Sequence, residues 1–294
     1  MEKGKIRIED ISVMKGKRKI TMITAYDYPT ALLADKADID IVLVGDTCSM
    51  VVLGYDSTLP ITMDEMIYHC KAVKRGVKHS LIVGDMPFMS FNVNKEDAIR
   101  NAGRFIKEGG CDAVKLEGGI NISDTVKAIT DAGIPVMGHV GLAPQTATFL
   151  SGYKVQGKEP KKAMKIIQDA KAIEDSGAFS IVLESLTSEV AKIITHELSI
   201  LTIGIGAGPD CDGQVLVLHD LLGLFDKFTP RFVKRYANLS EEILKALGTY
   251  RDEVQKGVFP DDQHCYHMDK AEFDKLQEML GEKKVKRLGS YSNR

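Results

Sequence analysis

The 294 residues carry 39 basic and 41 acidic side chains, a net charge of −2, with 44% hydrophobic and 27% charged residues. That balance supplies a sizeable core but no field for a nucleic acid or an anionic membrane, and no run approaches the ~20 apolar residues that span a bilayer. The five cysteines, Cys48, Cys70, Cys111, Cys211 and Cys265, include no Cys-x-x-Cys pair, so they suggest neither a disulfide framework nor structural zinc and fit a reducing cytoplasm.

The first residues, Met1-Glu2-Lys3-Gly4-Lys5, hold no apolar signal core, and Glu9 and Asp10 argue against a transit peptide. Ile20-Thr21-Met22-Ile23-Thr24 reads as a strand, followed by a helix over about 29–37. A second strand at 41–45 ends in Gly45-Asp46-Thr47. Thr62-Met63-Asp64-Glu65 opens the next helix as a capping box, in which hydroxyl and carboxylate satisfy free N–H groups reciprocally. Met63, Met66, Ile67, Cys70 and Val73 then repeat at helical spacing on its core face, and Gly76 ends it.

Strand 81–84 runs into Asp85 and precedes a helix over about 95–108, capped by Asn94 and stopped by Gly109-Gly110. Strand 113–116 carries Lys115, runs into Glu117, and precedes a helix over 124–132. Strand 135–138 runs into His139 and a long loop through Gly152 and Gly157, with a helix following over about 160–175. Strand 179–183 meets Glu184 before a helix near 188–197. Strand 200–203 enters Gly204-Ile205-Gly206-Ala207-Gly208, and the last strand falls at 215–218. Beyond 230, helices are expected from Ser240 to about 247 and over 270–280, packing outside the barrel or on a neighbouring subunit. Lys283, Lys284, Lys286 and Arg287 form a basic cluster that reads as a solvated tail.

Runs of apolar, β-branched residues mark strands buried on both faces, as in parallel sheets. Eight strands alternating with helical signals predict one (β/α)8 TIM barrel over about 20–225, with a helical extension from about 230 to 294 in the same domain. Ionisable residues at the carboxyl ends of barrel strands sit where such folds assemble their chemistry, so an enzyme is the leading reading.

Asp46 and Asp85 each follow a glycine at a strand end, and with Glu117 they would give Mg²⁺ the oxygen ligands it prefers; the alternative is that each aspartate caps the following turn. Lys115 and Glu117, two apart on a strand, point to the same side. Lys115 then has three readings: a structural ion pair with Glu117, a substrate anchor, or a Schiff-base lysine. His139 could polarise a carbonyl or simply support a neighbour. Glu184 ends a very apolar strand, surroundings that raise a carboxylate's pKa and suit it to take a carbon-bound proton; the alternative is an ion pair to the barrel wall. The Gly204-x-Gly206-x-Gly208 loop reads equally as anion binding or close packing, and Cys48 as packing.

Taken in order, these blocks resemble the ketopantoate hydroxymethyltransferase family from about Ile11 to Tyr266. The resemblance is carried by Thr24-Ala25-Tyr26-Asp27-Tyr28-Pro29, Asp56-Ser57-Thr58-Leu59-Pro60 and Val83-Gly84-Asp85-Met86-Pro87-Phe88. It continues through Val114-Lys115-Leu116-Glu117-Gly118-Gly119, Gly138-His139-Val140-Gly141-Leu142, Gly152-Tyr153-Lys154-Val155-Gln156-Gly157, the 203–208 glycine loop, 212–217 and His219-Asp220-Leu221-Leu222-Gly223.

The resemblance implies a barrel of the phosphoenolpyruvate/pyruvate type, a cytoplasmic homo-oligomer (commonly a decamer) that uses Mg²⁺ and 5,10-methylenetetrahydrofolate in pantothenate synthesis. By motif, Asp46 and Asp85 would be Mg²⁺ ligands and Glu117 a contact to the metal's water shell. Thr47 and Lys115 would hold the carboxylate of a 2-oxo acid, His139 would hydrogen-bond on the substrate side, and Glu184 would be the base. The small-molecule partners implied are 3-methyl-2-oxobutanoate and the folate, with no nucleic acid and no membrane. The chain departs from the family at Thr47-Cys48-Ser49, where Gly-Asp-Ser-Leu-Gly-Met is usual, at Tyr55 and at Ser185-Leu186-Thr187. Ser49 replaces a glycine that an unusual backbone angle would require. Two rival readings are a Mg²⁺-dependent C–C lyase or mutase on another short 2-oxo acid, and a barrel that binds such an acid without turnover.

Overall fold

Eight parallel strands close into a barrel in the order β1 to β8 in the computed structural model, which describes residues 4–146, 154–225, 227 and 229–280. They are β1 Ile20–Thr24, β2 Ile41–Val44, β3 Leu81–Asp85, β4 Ala113–Glu117, β5 Val136–Gly141, β6 Ser180–Glu184, β7 Leu201–Ile205 and β8 Gly213–Leu216. The expected (β/α)8 barrel is the observed one. The helix Met63–Gly76 starts on the expected capping box: the Thr62 N–H donates to the Glu65 carboxylate at 2.8 Å, and the Glu65 N–H donates to the Thr62 hydroxyl at 3.3 Å.

The period of two divides the strands between two cores. Met22, Leu43, Leu81, Val83, Ala113, Met137, Val182, Ile203 and Val215 point into the barrel and pack with one another. The alternate residues, among them Ile23, Val42, Val44, Ile82, Val114, Leu116, Ile181 and Leu183, pack outward against helix residues such as Met66, Ala98, Val126, Ile173 and Ile194. Followed to the strand ends, the inward parity passes from Val83 to Asp85, from Ala113 to Lys115 and Glu117, from Met137 to His139, and from Val182 to Glu184. The chemistry at the top is therefore set by the same alternation that fills the core below it.

At the opposite end Ile11, from the helix Ile8–Ser12, joins the inner core, and basic residues close on acids that precede the strands. Lys5 pairs with Asp112 at 2.6 Å, Lys15 with Asp212 at 2.7 Å, and Arg18 with Asp40.

Two elements differ most from the sequence reading, while β5 and β7 run on to Gly141 and Ile205. β8 spans Gly213–Leu216, not 215–218: a Cβ at Gly213 would lie 2.6 Å from the Ile20 carbonyl, so the glycine that reads as a turn is the residue that lets β8 approach β1. Leu218 instead begins the helix Leu218–Leu221, its N–H donating to Thr24 Oγ1 at 3.0 Å. The helix expected to stop at about 247 runs over Leu239–Gln255, straight through Gly248.

The chain divides into two compact units at Asn238–Leu239, where the sequence reading has one domain with its extension starting near 230. In the second unit the helix Leu239–Gln255 is tied to the following turn by an edge contact of Tyr250 with Phe259, and the helix Lys270–Leu280 follows. The basic cluster at 283–287 lies outside the described residues. Cys48, Cys70, Cys111, Cys211 and Cys265 are all free thiols. Among the described residues no helix is long and apolar enough to cross a membrane.

Candidate active site

All seven residues singled out at strand ends, Asp46, Thr47, Asp85, Lys115, Glu117, His139 and Glu184, line one cleft of about 430 Å³ inside the carboxyl end of the barrel. Neither aspartate caps a helix. Asp46 Oδ2 accepts from Gln145 Nε2 at 2.9 Å, and Asp85 accepts the Asp46 N–H at 3.2 Å. Lys115 Nζ donates to both Asp85 oxygens, at 2.7 and 2.8 Å, and stands 3.8 Å from Glu117 Oε1. Its principal partner is thus Asp85 on the neighbouring strand, not Glu117 two residues on. His139 lies between two acids, Nδ1 3.4 Å from Glu117 and Nε2 3.4 Å from Glu184. Neither contact has hydrogen-bond geometry, so both ring nitrogens are buried and close to charge without a bonded partner.

Burial, reinforced by repulsion from Asp85 and Glu117, pushes Asp46 well above the usual carboxylate range. Burial also raises Asp85, outweighing the pull of Lys115. For Glu117, burial opposes ionisation, but His139, Lys115 and the Gln145 N–H together hold its pKa below the ordinary value. Burial works against the Lys115 ammonium; Asp85, Glu117 and Asp46 more than offset it and keep its pKa above that of a free lysine. A Schiff-base lysine needs the opposite shift, so this environment favours a permanent cation. Burial and Lys115 disfavour a charged His139, yet Glu117 and Glu184 prevail and push it up to about 9.

The donor set fits a hard divalent cation. Mg²⁺ typically takes one or two carboxylates and leaves water or substrate in its other positions, and Asp46 and Asp85 are two buried oxygen donors on adjacent strands. Burial first, and then the nearby Asp85 and Glu117, disfavour the Asp46 carboxylate, a cost that a cation would relieve. Gln145 Oε1 is a further buried oxygen without a partner. Among the described residues no three His, Cys, Asp or Glu side chains form a metal-holding group, so water and substrate would complete the coordination.

Glu184 differs from the other acids. Its side chain is 17% exposed, against 2% for Asp85 and 3% for Glu117, so its surroundings are wetter than the apolar strand suggests. The next residue, Ser185, holds a left-handed φ of 50°, fixed by its N–H to Ile205 and its carbonyl to Gln156. A non-glycine residue in that region beside a reactive group is a position over-determined by its neighbours.

Two positions escaped the strand-end reading, Gln145 and Tyr26. Gln145, in the short turn Pro144–Thr146, bonds Asp46 and the Met86 carbonyl through Nε2 and Glu117 through its N–H at 3.1 Å. Tyr26 is buried and its hydroxyl bonds Thr47 Oγ1 at 2.7 Å, which orients that hydroxyl toward the cleft. Ser49 is helical, with no positive φ; its hydroxyl donates to the Ser57 carbonyl at 2.7 Å, so the glycine usual there answers no backbone strain. Cys48 is buried and its thiol is pushed up to about 12 by desolvation, which fits packing. The glycine loop also reads as packing: Cβ atoms at Gly206 and Gly208 would strike Phe232 and Ser188.

Thr47, Pro144, Glu184, Ile205 and Val217 also form part of a second, outer chamber of about 1120 Å³. Its walls are largely apolar, with Met50, Val51, Leu142, Val155, Phe225 and Phe232.

Residues 5–262 match the family profile described as ketopantoate hydroxymethyltransferase. The chain is 56% identical over 266 residues to the 3-methyl-2-oxobutanoate hydroxymethyltransferase of Moorella thermoacetica, covering 90% of this chain and 99% of that protein. It is 52% identical over 275 residues to the enzyme of the same name from Nitrosopumilus maritimus, covering 93% and 98%. Among solved structures, phosphoenolpyruvate phosphomutase from Streptomyces platensis subsp. rosaceus superposes with a TM-score of 0.59 at 12% identity, covering 98% of this chain and all of that one. A 2,3-dimethylmalate lyase of the PEP mutase/isocitrate lyase superfamily gives 0.54 at 12% identity, covering 97% and 99%. These two share the fold.

Proposed function

The chain belongs to the ketopantoate hydroxymethyltransferase family, and we propose that it makes ketopantoate from 3-methyl-2-oxobutanoate with 5,10-methylenetetrahydrofolate as the one-carbon donor. It is an enzyme, a hydroxymethyltransferase. The observation that carries the finer reading is the state of Glu184. Among the described residues it is the most exposed acid of the inner cleft, its charged neighbour His139 stands at 3.4 Å without hydrogen-bond geometry, and it faces both chambers. A carboxylate partly open to the cleft keeps lone pairs for a proton, which a base at C3 of a 2-oxo acid requires.

Mg²⁺ held by Asp46 and Asp85 would supply Lewis-acid polarisation of the substrate's keto group. Lys115, protonated among its acids, offers fixed positive charge to the substrate carboxylate. Thr47, oriented by Tyr26, offers that carboxylate a hydroxyl. His139 stands 3.4 Å from Glu184 and places positive charge beside the base. With C3 deprotonated, the donor's methylene carbon is delivered from the outer chamber, which opens onto Glu184. Water is consumed in completing the transfer: its oxygen stays on the new carbon as the hydroxyl. The C3 proton and one water proton end on two nitrogens of tetrahydrofolate, which leaves, and the product feeds pantothenate synthesis.

The test is ketopantoate formation from the two substrates, with Mg²⁺ and with a chelator. Product that appears only with the metal is the expected result. No product in either arm, with Mg²⁺-dependent proton exchange at C3 retained, would move the assignment to a lyase or mutase on another short 2-oxo acid.

A further inference from the structure

The outer chamber holds one acid that the chemistry above leaves unused. Asp220, in the helix Leu218–Leu221, lines the chamber while only 8% exposed. Its neighbours in the wall include Met50, Val51, Val155, Pro230 and Phe232. Among the described residues its carboxylate makes no hydrogen bond and no ion pair. Arg235, the cation that acts on it, is engaged elsewhere, donating to Thr229 Oγ1 at 2.6 Å and to the Phe225 carbonyl. The bottom-face acids Asp35, Asp40, Asp112 and Asp212 contrast with it, since each accepts N–H groups or cations. A desolvated carboxylate without a partner is unfavourable, and burial pushes Asp220 up to about 6.

We infer that Asp220 reads the heterocycle of the one-carbon donor, its two oxygens accepting from the ring N–H and the exocyclic amino group of a 2-amino-4-oxo pterin. The inference rests on the folate reading of the preceding section. Two adjacent N–H donors on a flat edge match a carboxylate as a guanidinium does, through a pair of parallel hydrogen bonds. The rest of the chamber suits the rest of that ligand. Apolar walls with Phe225 and Phe232 accommodate a ring system, and Lys154 and Arg231 bring positive charge to the same lining for an acidic glutamyl tail. Glu184, shared by both chambers, fixes which end of the donor faces the 2-oxo acid.

The test pairs a variant with a ligand analogue. Asp220→Asn keeps the shape but turns one acceptor into a donor. The KM for 5,10-methylenetetrahydrofolate should rise about 10- to 100-fold, the loss expected for hydrogen bonds to a charged group. The KM for the 2-oxo acid and folate-free proton exchange at C3 should hold, which also shows that the barrel has folded. Wild-type protein should bind tetrahydrofolate more tightly than its 2-desamino analogue in calorimetry, and Asp220→Asn should lose that preference. Equal wild-type affinity for the two, or an unchanged folate KM in the variant, would overturn the role of Asp220 while leaving folate use intact. A wild-type enzyme that makes no ketopantoate from the folate would end both readings, and the wild-type assay alone reveals that case.

Discussion

Glu184 and Gln145 carry the sharpest expectations at the scale of single residues. Glu184→Gln preserves volume and removes the base, so proton exchange at C3 should fall about 10²- to 10⁴-fold, with Mg²⁺ and 2-oxo acid binding retained by calorimetry. Wild-type exchange in the variant would take the base role from Glu184. Asp85 needs a gentler change, because Asp85→Ala would strand the buried Lys115 ammonium and confuse folding with binding. Gln145→Leu leaves Asp46 Oδ2 and the Met86 carbonyl without a donor. At about 1–3 kcal/mol per orphaned group, urea unfolding should show a loss of that order, and an unchanged midpoint would mean that water replaces the amide. The cleft residues were legible because they lie at or just past the ends of apolar runs, and for Asp85, Lys115, Glu117, His139 and Glu184 the inward parity is visible in the sequence. Gln145 and Tyr26, which bond cleft residues from behind, and Asp220, which lines the outer chamber, were not, since they sit in turns and helix starts that have no period to follow.

At the scale of elements, the glycines before Asp85 and His139 explain why these strands and helices approach so closely. Gly84 and Gly138 have the outward parity, and added Cβ atoms would lie 2.3 Å from Phe105 Cδ1 and from Ile173 Cγ2. The helix Pro160–Asp175 therefore rests directly on the β5 backbone one residue before the imidazole. Gly138→Ala should cost about 1–3 kcal/mol by overpacking and displace His139 from Glu184. The expected readout is a lowered melting temperature together with a lowered kcat; a variant that loses activity at unchanged stability would show that the strand, not the helix, gives way. Most elements were legible for a related reason: capping residues and apolar spacing are local. The misplacements at β8 and at the helix Leu239–Gln255 both fell on glycines, Gly213 and Gly248. A glycine reads as a break, whereas here one permits a close strand pair and the other sits in an open helix face with nothing within 4 Å.

Across the whole barrel unit, the lowered acids of the bottom and the raised Asp46, Asp85 and His139 of the top should titrate in opposite directions, with Glu117, held low by His139 and Lys115, following the bottom acids. At the bottom, burial opposes ionised Asp35 and Asp40. The N–H groups of Ser80, Lys78 and His79 on Asp35, and Arg18 with Thr21 on Asp40, still hold both pKa values below the ordinary one. Their stabilisation is therefore complete above about pH 4 and is lost as the pH falls further. At the top, His139 keeps its proton to about 9 when folded. Its contribution is complete below about pH 6.5 and drains away as the pH rises through 9. Asp46 and Asp85, both raised, act in the same sense, because the folded protein binds their protons more tightly than the unfolded chain does. The metal-free protein should accordingly be most stable in mildly acidic solution, with a urea midpoint that declines between about pH 6.5 and 9 and again below about pH 4. A divalent cation at Asp46 and Asp85 takes the place of their protons, so saturating Mg²⁺ should recover the share of the alkaline loss that those two acids cause and none of the loss below about pH 4. Midpoints measured across pH with Mg²⁺ and with a chelator separate the two ends. A metal effect of equal size at pH 5 and pH 9 would mean that the cation binds somewhere other than among these acids.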